Sequence, residues 1–538
     1  MRIAGMRPET ALERVLAPAF VGLLCVPFFL LLHRMFPFAV VTSDTPWYLS
    51  VVSPFHLWAP NYFEWLRMPL IGWVFRAAAV FPQPGTVVFC FNALLFTLSA
   101  TAVYWFARVL LRSLWKGVLF ASLFIMTEAV CMHSFFSTLQ VSADSSFGSL
   151  ILIGMLLIAG GWLRGGRPAL FAGYALVGLA AFERPFGICL FILLLPVAFL
   201  PPRTGSSPPW TLRLRHASIC IALLTLPLLL WSARNAVVYG TFEPTAATGR
   251  YLLAKVAPLI ESGDVILPNA ADNRLFVAAA ISFRHTKGTT YNRFMTSYLT
   301  ADENPYIILY RADGATPPFV FNDELLFAHN GAATRAAQRI IALHPAAYAA
   351  MVVRDYVTLT GRSLQLAIPS SIATYYVNVL SHEQPHITPA LRMFLPPDGR
   401  IYVTDADVGV YGAFMRLLLP LLMSSDTFYG QSLLGVVLPH LLLLLALASY
   451  VIARFFRRGT RYIDRYVCII FLLSGMVTLD LFAMAMEEVE TRYGSAGDLL
   501  LHVAVLAALF TCADAAAGFI RRRIVGGLAT GLKHTNTD

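Results

Sequence analysis

The chain has 538 residues, 57% of them hydrophobic and only 13% charged, with a mean hydropathy of +0.66. Soluble domains carry about 25% charged residues, so the composition excludes a soluble enzyme and predicts an all-α polytopic membrane protein. The net charge of +10 suggests a nucleic-acid partner, but Lys and Arg fall in short clusters between apolar runs, where topology determinants belong. No nucleic acid is expected.

Apolar runs of spanning length predict about ten transmembrane helices, near residues 16–40, 86–107, 117–136, 147–163, 168–182, 185–200, 217–237, 428–453, 466–486 and 497–519. The first reads as a retained signal anchor. Residues 41–85 are too polar and proline-rich for one span, yet contain the apolar stretch Pro69 to Phe81, which predicts interfacial helices in the first outer loop. Residues 1–239 thus form an N-terminal transmembrane core. Residues 240–427 form a mixed extracytoplasmic cap, in which Ala332 to Thr360 reads as a helix broken at Pro345 and a further interfacial helix lies near Met415 to Met423. Residues 428–520 supply the C-terminal transmembrane helices, and 521–538 a basic cytoplasmic tail without regular structure.

With a cytoplasmic N-terminus, the clusters Arg2/Arg7/Arg14, Arg108/Arg112/Lys116, Arg164/Arg167, Arg203/Arg213/Arg215, Arg454/Arg457/Arg458/Arg461/Arg465 and Arg521/Arg522/Arg523/Lys533 all face inward, as the positive-inside rule requires. The seven cysteines lie within apolar runs, without metal-ligand spacing, and read as small hydrophobes.

That orientation sends a set of polar residues to the opposite, outer end. In the first outer loop, Thr42-Ser43-Asp44-Thr45-Pro46-Trp47-Tyr48 presents a carboxylate able to act as general base toward a hydroxyl; a helix cap before Pro46 is the plain alternative. Arg67, in Glu64-Trp65-Leu66-Arg67-Met68-Pro69, could hold a phosphate with its planar fork or simply snorkel. Asp144, flanked by Ser142, Ser145 and Ser146, caps a span in its ordinary reading. Glu183-Arg184-Pro185 separates two spans joined without a loop; it forms a local ion pair or presents Arg184 to an anionic ligand. Arg234 and Asn235 end a span just before Gly240, and Glu490-Thr491-Arg492-Tyr493-Gly494 follows another. Glu128, inside a span, has nearby His133 as its simplest partner and receives no role.

Taken in order, Ser43-Asp44-Thr45-Pro46-Trp47-Tyr48, Arg67-Met68-Pro69-Leu70, Ala143-Asp144, Glu183-Arg184-Pro185, Trp231 to Asn235 with Gly240, and Arg492-Tyr493 resemble the glycosyltransferase C superfamily. The likeness is to its dolichyl- or polyprenyl-phosphate-sugar-dependent transferases, related to protein mannosyltransferases and the lipid A aminoarabinose transferase. The resemblance implies a helical membrane core opening outward beneath a soluble cap, with a lipid-linked sugar phosphate as donor. It implies Asp44 as catalytic base and Arg67 as a phosphate-holding residue. Many family members have paired acids in the first loop, whereas Thr45 follows Asp44 here. Asp405-Ala406-Asp407 has metal-binding form, but a turn explains it, and no metal or cofactor is expected.

The function expected is inverting transfer of a sugar from a polyprenyl phosphate to an acceptor hydroxyl on a lipid, polymer or protein, at the outer face of a bacterial inner membrane. Arg67, Arg184, Arg234 and Arg492 would hold the donor phosphate, with Tyr48, Asp144, Glu183, Asn235, Glu490 and Tyr493 as further site residues. The alternatives are a lipid-linked sugar flippase and a glycan ligase using a diphosphate carrier. The absence of repeats lowers the flippase reading.

Overall fold

The computed structural model describes residues 11–35, 68–131, 142–200, 209–245, 248–271, 323–362, 433–455, 460–486 and 491–534, with isolated residues and short pieces between them. In chain order the helices are α1 (Ala11–Met35), α2 (Pro69–Ala78), α3 (Pro84–Leu111), α4 (Leu114–Cys131), α5 (Asp144–Arg164), α6 (Arg167–Glu183), a 3-10 turn (Pro185–Cys189) running into α7 (Leu190–Ala198), and α8 (Trp210–Tyr239). There follow α9 (Thr248–Val256), α10 (Asp323–Leu343), α11 (Pro345–Arg362), α12 (Leu433–Phe455), α13 (Thr460–Met486) and α14 (Thr491–His534). The strand pairing among the described residues is a two-residue antiparallel ladder, β1 (Tyr310–Arg311) on β2 (Val320–Phe321), with Tyr310 opposite Phe321.

Among the described residues, 6 helices are long and apolar enough to cross a membrane: α3, α5, α8, and segments of α12, α13 and α14. These are the helices of an integral membrane protein, because in lipid the backbone must satisfy its own hydrogen bonds. The other predicted spans fall on α1, α4, α6 and the stretch Pro185–Ala198, which is shorter. At 1.5 Å per residue that last stretch reaches about 21 Å, below the roughly 30 Å of a hydrocarbon core.

Local chemistry sets the breaks. Pro69, Pro84 and Pro345 open their helices at the first position, where the missing N–H costs nothing. Gly240 ends α8 at φ 75°, a left-handed conformation in which a β-carbon would be strained. Helix α10 bends into α11 by 102° at the proline that the sequence marks as the break. The basic tail differs from expectation, since α14 continues to His534. Residues 521–534 contain no proline, so a helix already nucleated can extend through them, although Gly526, Gly527 and Gly531 each oppose it by about 1 kcal/mol.

Helices meet through small residues. A β-carbon on Gly173 of α6 would lie 2.7 Å from the Gly154 carbonyl oxygen and 2.9 Å from the Ile158 nitrogen of α5, and one on Gly161 would lie 2.8 Å from the Leu170 nitrogen. Gly178 approaches the backbone of α8, where a β-carbon would lie 2.9 Å from the Leu224 oxygen. Such close approach is how helices associate where no hydrophobic force separates protein from lipid. The buried cluster includes Phe96, Phe120, Phe124, Ile151, Leu152, Tyr174, Leu224, Leu472 and Leu500.

The described part of the predicted cap is helical apart from the β1–β2 ladder; α9 is tied to α10 and α11, and α11 docks on the membrane helices α12 and α13. Gly249 donates to Asn330 Oδ1 at 2.7 Å, Lys255 pairs with Asp355 at 2.5 Å, and Tyr348 donates to the Ala485 carbonyl at 2.8 Å. Tyr356 is 2.8 Å from His440 of α12.

Candidate functional site

Helices α5, α6 and α8 bring their polar ends to one side of the bundle. Asp144 occupies the first position of α5 and Glu183 the last of α6, while Arg184 begins the extended break before Pro185. The Arg184 guanidinium lies 2.6 Å from Asp144 Oδ1, with both side chains more than nine-tenths buried. Ser142 donates to Asp144 Oδ2 at 3.1 Å, and Ser146, one turn into α5, donates to Glu183. A guanidinium and two carboxyl groups are thus gathered inside the protein, each carboxyl group held by a serine of its own.

Two plain readings of these residues are thereby corrected. Arg184 pairs across the helix hairpin with Asp144, and Glu183 bonds Ser146, so the adjacent Glu183 and Arg184 are joined through α5. The N-cap of α5 is Ala143, and the Asp144 N–H donates to Ser142 Oγ; the Asp144 carboxylate turns toward Arg184 because a buried charge needs a counter-charge more than a helix end needs a cap.

Beside this cluster, α2 places Trp73 6.2 Å from Phe182 and 6.5 Å from Trp231, whose rings are themselves 6.0 Å apart. Arg234 sits over the rings of Trp231 at 4.8 Å and Tyr239 at 5.2 Å, and donates to Asn235 Oδ1 at 3.1 Å. Asn235 in turn donates to the Glu243 carbonyl at 2.8 Å, and Trp231 donates to that of Pro244 at 3.1 Å. Asn235 therefore fastens the chain after α8.

Asp44, Arg67 and Glu490 lie outside the described residues, as do Asp405, Asp407 and residues 415–423. Arg492 and Tyr493 stand in the first turn of α14 rather than in a connection, and their side chains are outside what is described. Chain neighbours of the first two are described. Tyr48 is buried with Phe75, 6.0 Å between ring centroids, in a cluster that includes Ala143, next to Asp144. Met68 is buried in a cluster with Phe182 and Trp231, next to Glu183.

Glu128 pairs with His502 of α14 at 2.6 Å; His133, its expected partner, is outside the described residues. Sequence reading passed over His502, Asp480 and Asp514, and also Trp73 and Phe182. An ionisable residue inside an apolar run is a signal in its own right, and it would have found the first three. Among the described residues no group of three His, Cys, Asp or Glu could hold a metal ion.

The fold and this buried polar cluster define a polytopic helical membrane protein with a buried group of charges at one end. Compared with protein-family models, curated proteins and solved structures, the chain shows no significant match to any.

Proposed function

We propose that this protein is a membrane glycosyltransferase that moves a sugar from a polyprenyl phosphate to an acceptor hydroxyl on the outer side of a bacterial inner membrane. The observation that carries the reading is the buried Asp144–Arg184 pair at 2.6 Å with Glu183 beside it. Charges gathered inside a membrane protein, away from its basic end, mark a site for a polar substrate.

In this reading about ten helices span the bilayer, α2 lies at the outer interface, and α9 to α11 belong to the cap. The donor's leaving group is a phosphate monoester, so negative charge grows on its oxygens as the glycosidic bond breaks. Arg184 faces Asp144 without substrate and would share its guanidinium with the phosphate, joined by Arg67 and Arg492; preorganised cations in a water-poor recess stabilise such charge strongly. Arg234, stacked between two rings, would act from the rim. Asp44 takes the acceptor proton as the hydroxyl attacks the opposite face of the sugar, giving inversion. Tyr48 and Met68 support this arrangement: each adjoins a proposed catalytic segment in sequence and is buried against the Asp144 or Glu183 end of the recess.

The test uses purified protein in detergent with a radiolabelled polyprenyl-phosphate sugar. Release of polyprenyl phosphate is expected from the wild type and not from Asp44→Asn, which should still insert in membranes. Normal turnover by Asp44→Asn would falsify the base assignment. Labelled lipid that moves between leaflets uncleaved would instead make the protein a flippase, and cleavage only of a diphosphate carrier would make it a ligase.

A further inference from the structure

We propose that the basic end of the bundle, opposite the recess, carries a second site: a phosphate-binding position built from Arg465, Lys116 and Asp514. Arg465, near the start of α13, is 1% exposed. Its Nη2 donates to Asp514 Oδ2 at 2.7 Å, and Lys116 of α4 holds the other carboxylate oxygen. Two cations therefore share one carboxylate. Arg465 Nε and Nη1 are buried and have no hydrogen-bond partner among the described residues. The ring of Tyr462, 5.8 Å from the guanidinium carbon, covers part of that group.

A buried donor left without an acceptor costs free energy, and a surplus buried charge costs more. Asp464 has contacts of its own. Helices α3 and α5 bring further cations: the Arg108 β-carbon lies 3.0 Å from where a β-carbon on Gly117, next to Lys116, would stand, and Arg164 lies close to Arg108. Nε and Nη1 lie on different edges of the guanidinium, so the missing component is an anion that accepts from one of them together with the second N–H of Nη2, a pairing that two phosphate oxygens can make on either edge. The triad reaches the surface, since the Lys116 side chain is 43% exposed and that of Asp514 17%. Phosphate is abundant at that depth as lipid headgroup and in solution as free ion.

The site is tested on the full-length protein in neutral detergent. Native mass spectrometry compares retention of phosphatidylglycerol with that of phosphatidylcholine, and thermal melts compare inorganic phosphate with chloride at equal ionic strength. Preferential retention of phosphatidylglycerol with no effect of phosphate assigns a lipid headgroup. A higher melting temperature in phosphate assigns the free ion. Either outcome supports the site provided that Lys116→Gln weakens it by about 5-fold, the effect of one interfacial charge, and that Arg465→Lys, which keeps a cation on Asp514 but lacks the planar fork, weakens it too. Should Arg465→Lys fail to fold, the half-exposed Lys116→Gln decides alone. Equal retention of the two lipids with no phosphate effect overturns the proposal, as does wild-type binding by the variants.

Discussion

Replacing Arg184 by Met would leave Asp144 buried beside an apolar chain. At 2.6 Å and an effective dielectric of about 20, the attraction removed is about 6 kcal/mol. The desolvation of Arg184 is no longer incurred and the region relaxes, so the net loss should be about 3–5 kcal/mol, the usual cost of stripping one partner from a buried pair. The double variant Asp144→Asn with Arg184→Met removes both charges and should recover at least half of that loss. Unfolding in mixed micelles, titrated with denaturing detergent and followed by tryptophan fluorescence, measures all four proteins of the cycle. Independent, additive effects of the two substitutions, or an Arg184→Met protein as stable as the wild type, would refute the reasoning, because either result means that the pair is not coupled.

The Glu128–His502 pair should behave likewise: His502→Leu destabilises by roughly 3 kcal/mol, and adding Glu128→Leu costs nothing further in the same titration. Gly173→Val forces a side chain into the α5 backbone and should cost about 1–3 kcal/mol; unchanged stability would mean that the two helices are not in contact there. Asn235→Ala removes the bond to Glu243 and should cost about 1 kcal/mol, with faster hydrogen exchange confined to residues 241–245.

The membrane character was legible in the sequence because a helix in lipid must be long and apolar, and the residues that bound these helices, Pro69, Pro84, Pro345 and Gly240, act through local backbone geometry. Asp144, Glu183 and Arg184 were legible as unusual, since each interrupts or borders an apolar run. Their pairing was not. Asp144 and Arg184 lie 40 residues apart, and only the α5–α6 crossing decides that they meet. The same holds for Glu128, whose near neighbour His133 looked sufficient while its described partner, His502, comes from the last helix. Asn235 was legible as a polar residue ending a span, but its bond to the Glu243 carbonyl, which ties down the following loop, was not.

The crossing through Gly154 and Gly173 lies about 15 Å from the charged cluster, ten residues along each helix from Asp144 and Glu183. Sliding α6 past α5 by a single residue would turn its side chains by about 100° and carry the guanidinium away from its acid. The register of the buried charged groups is thus calibrated from afar, by two residues that have no side chain at all.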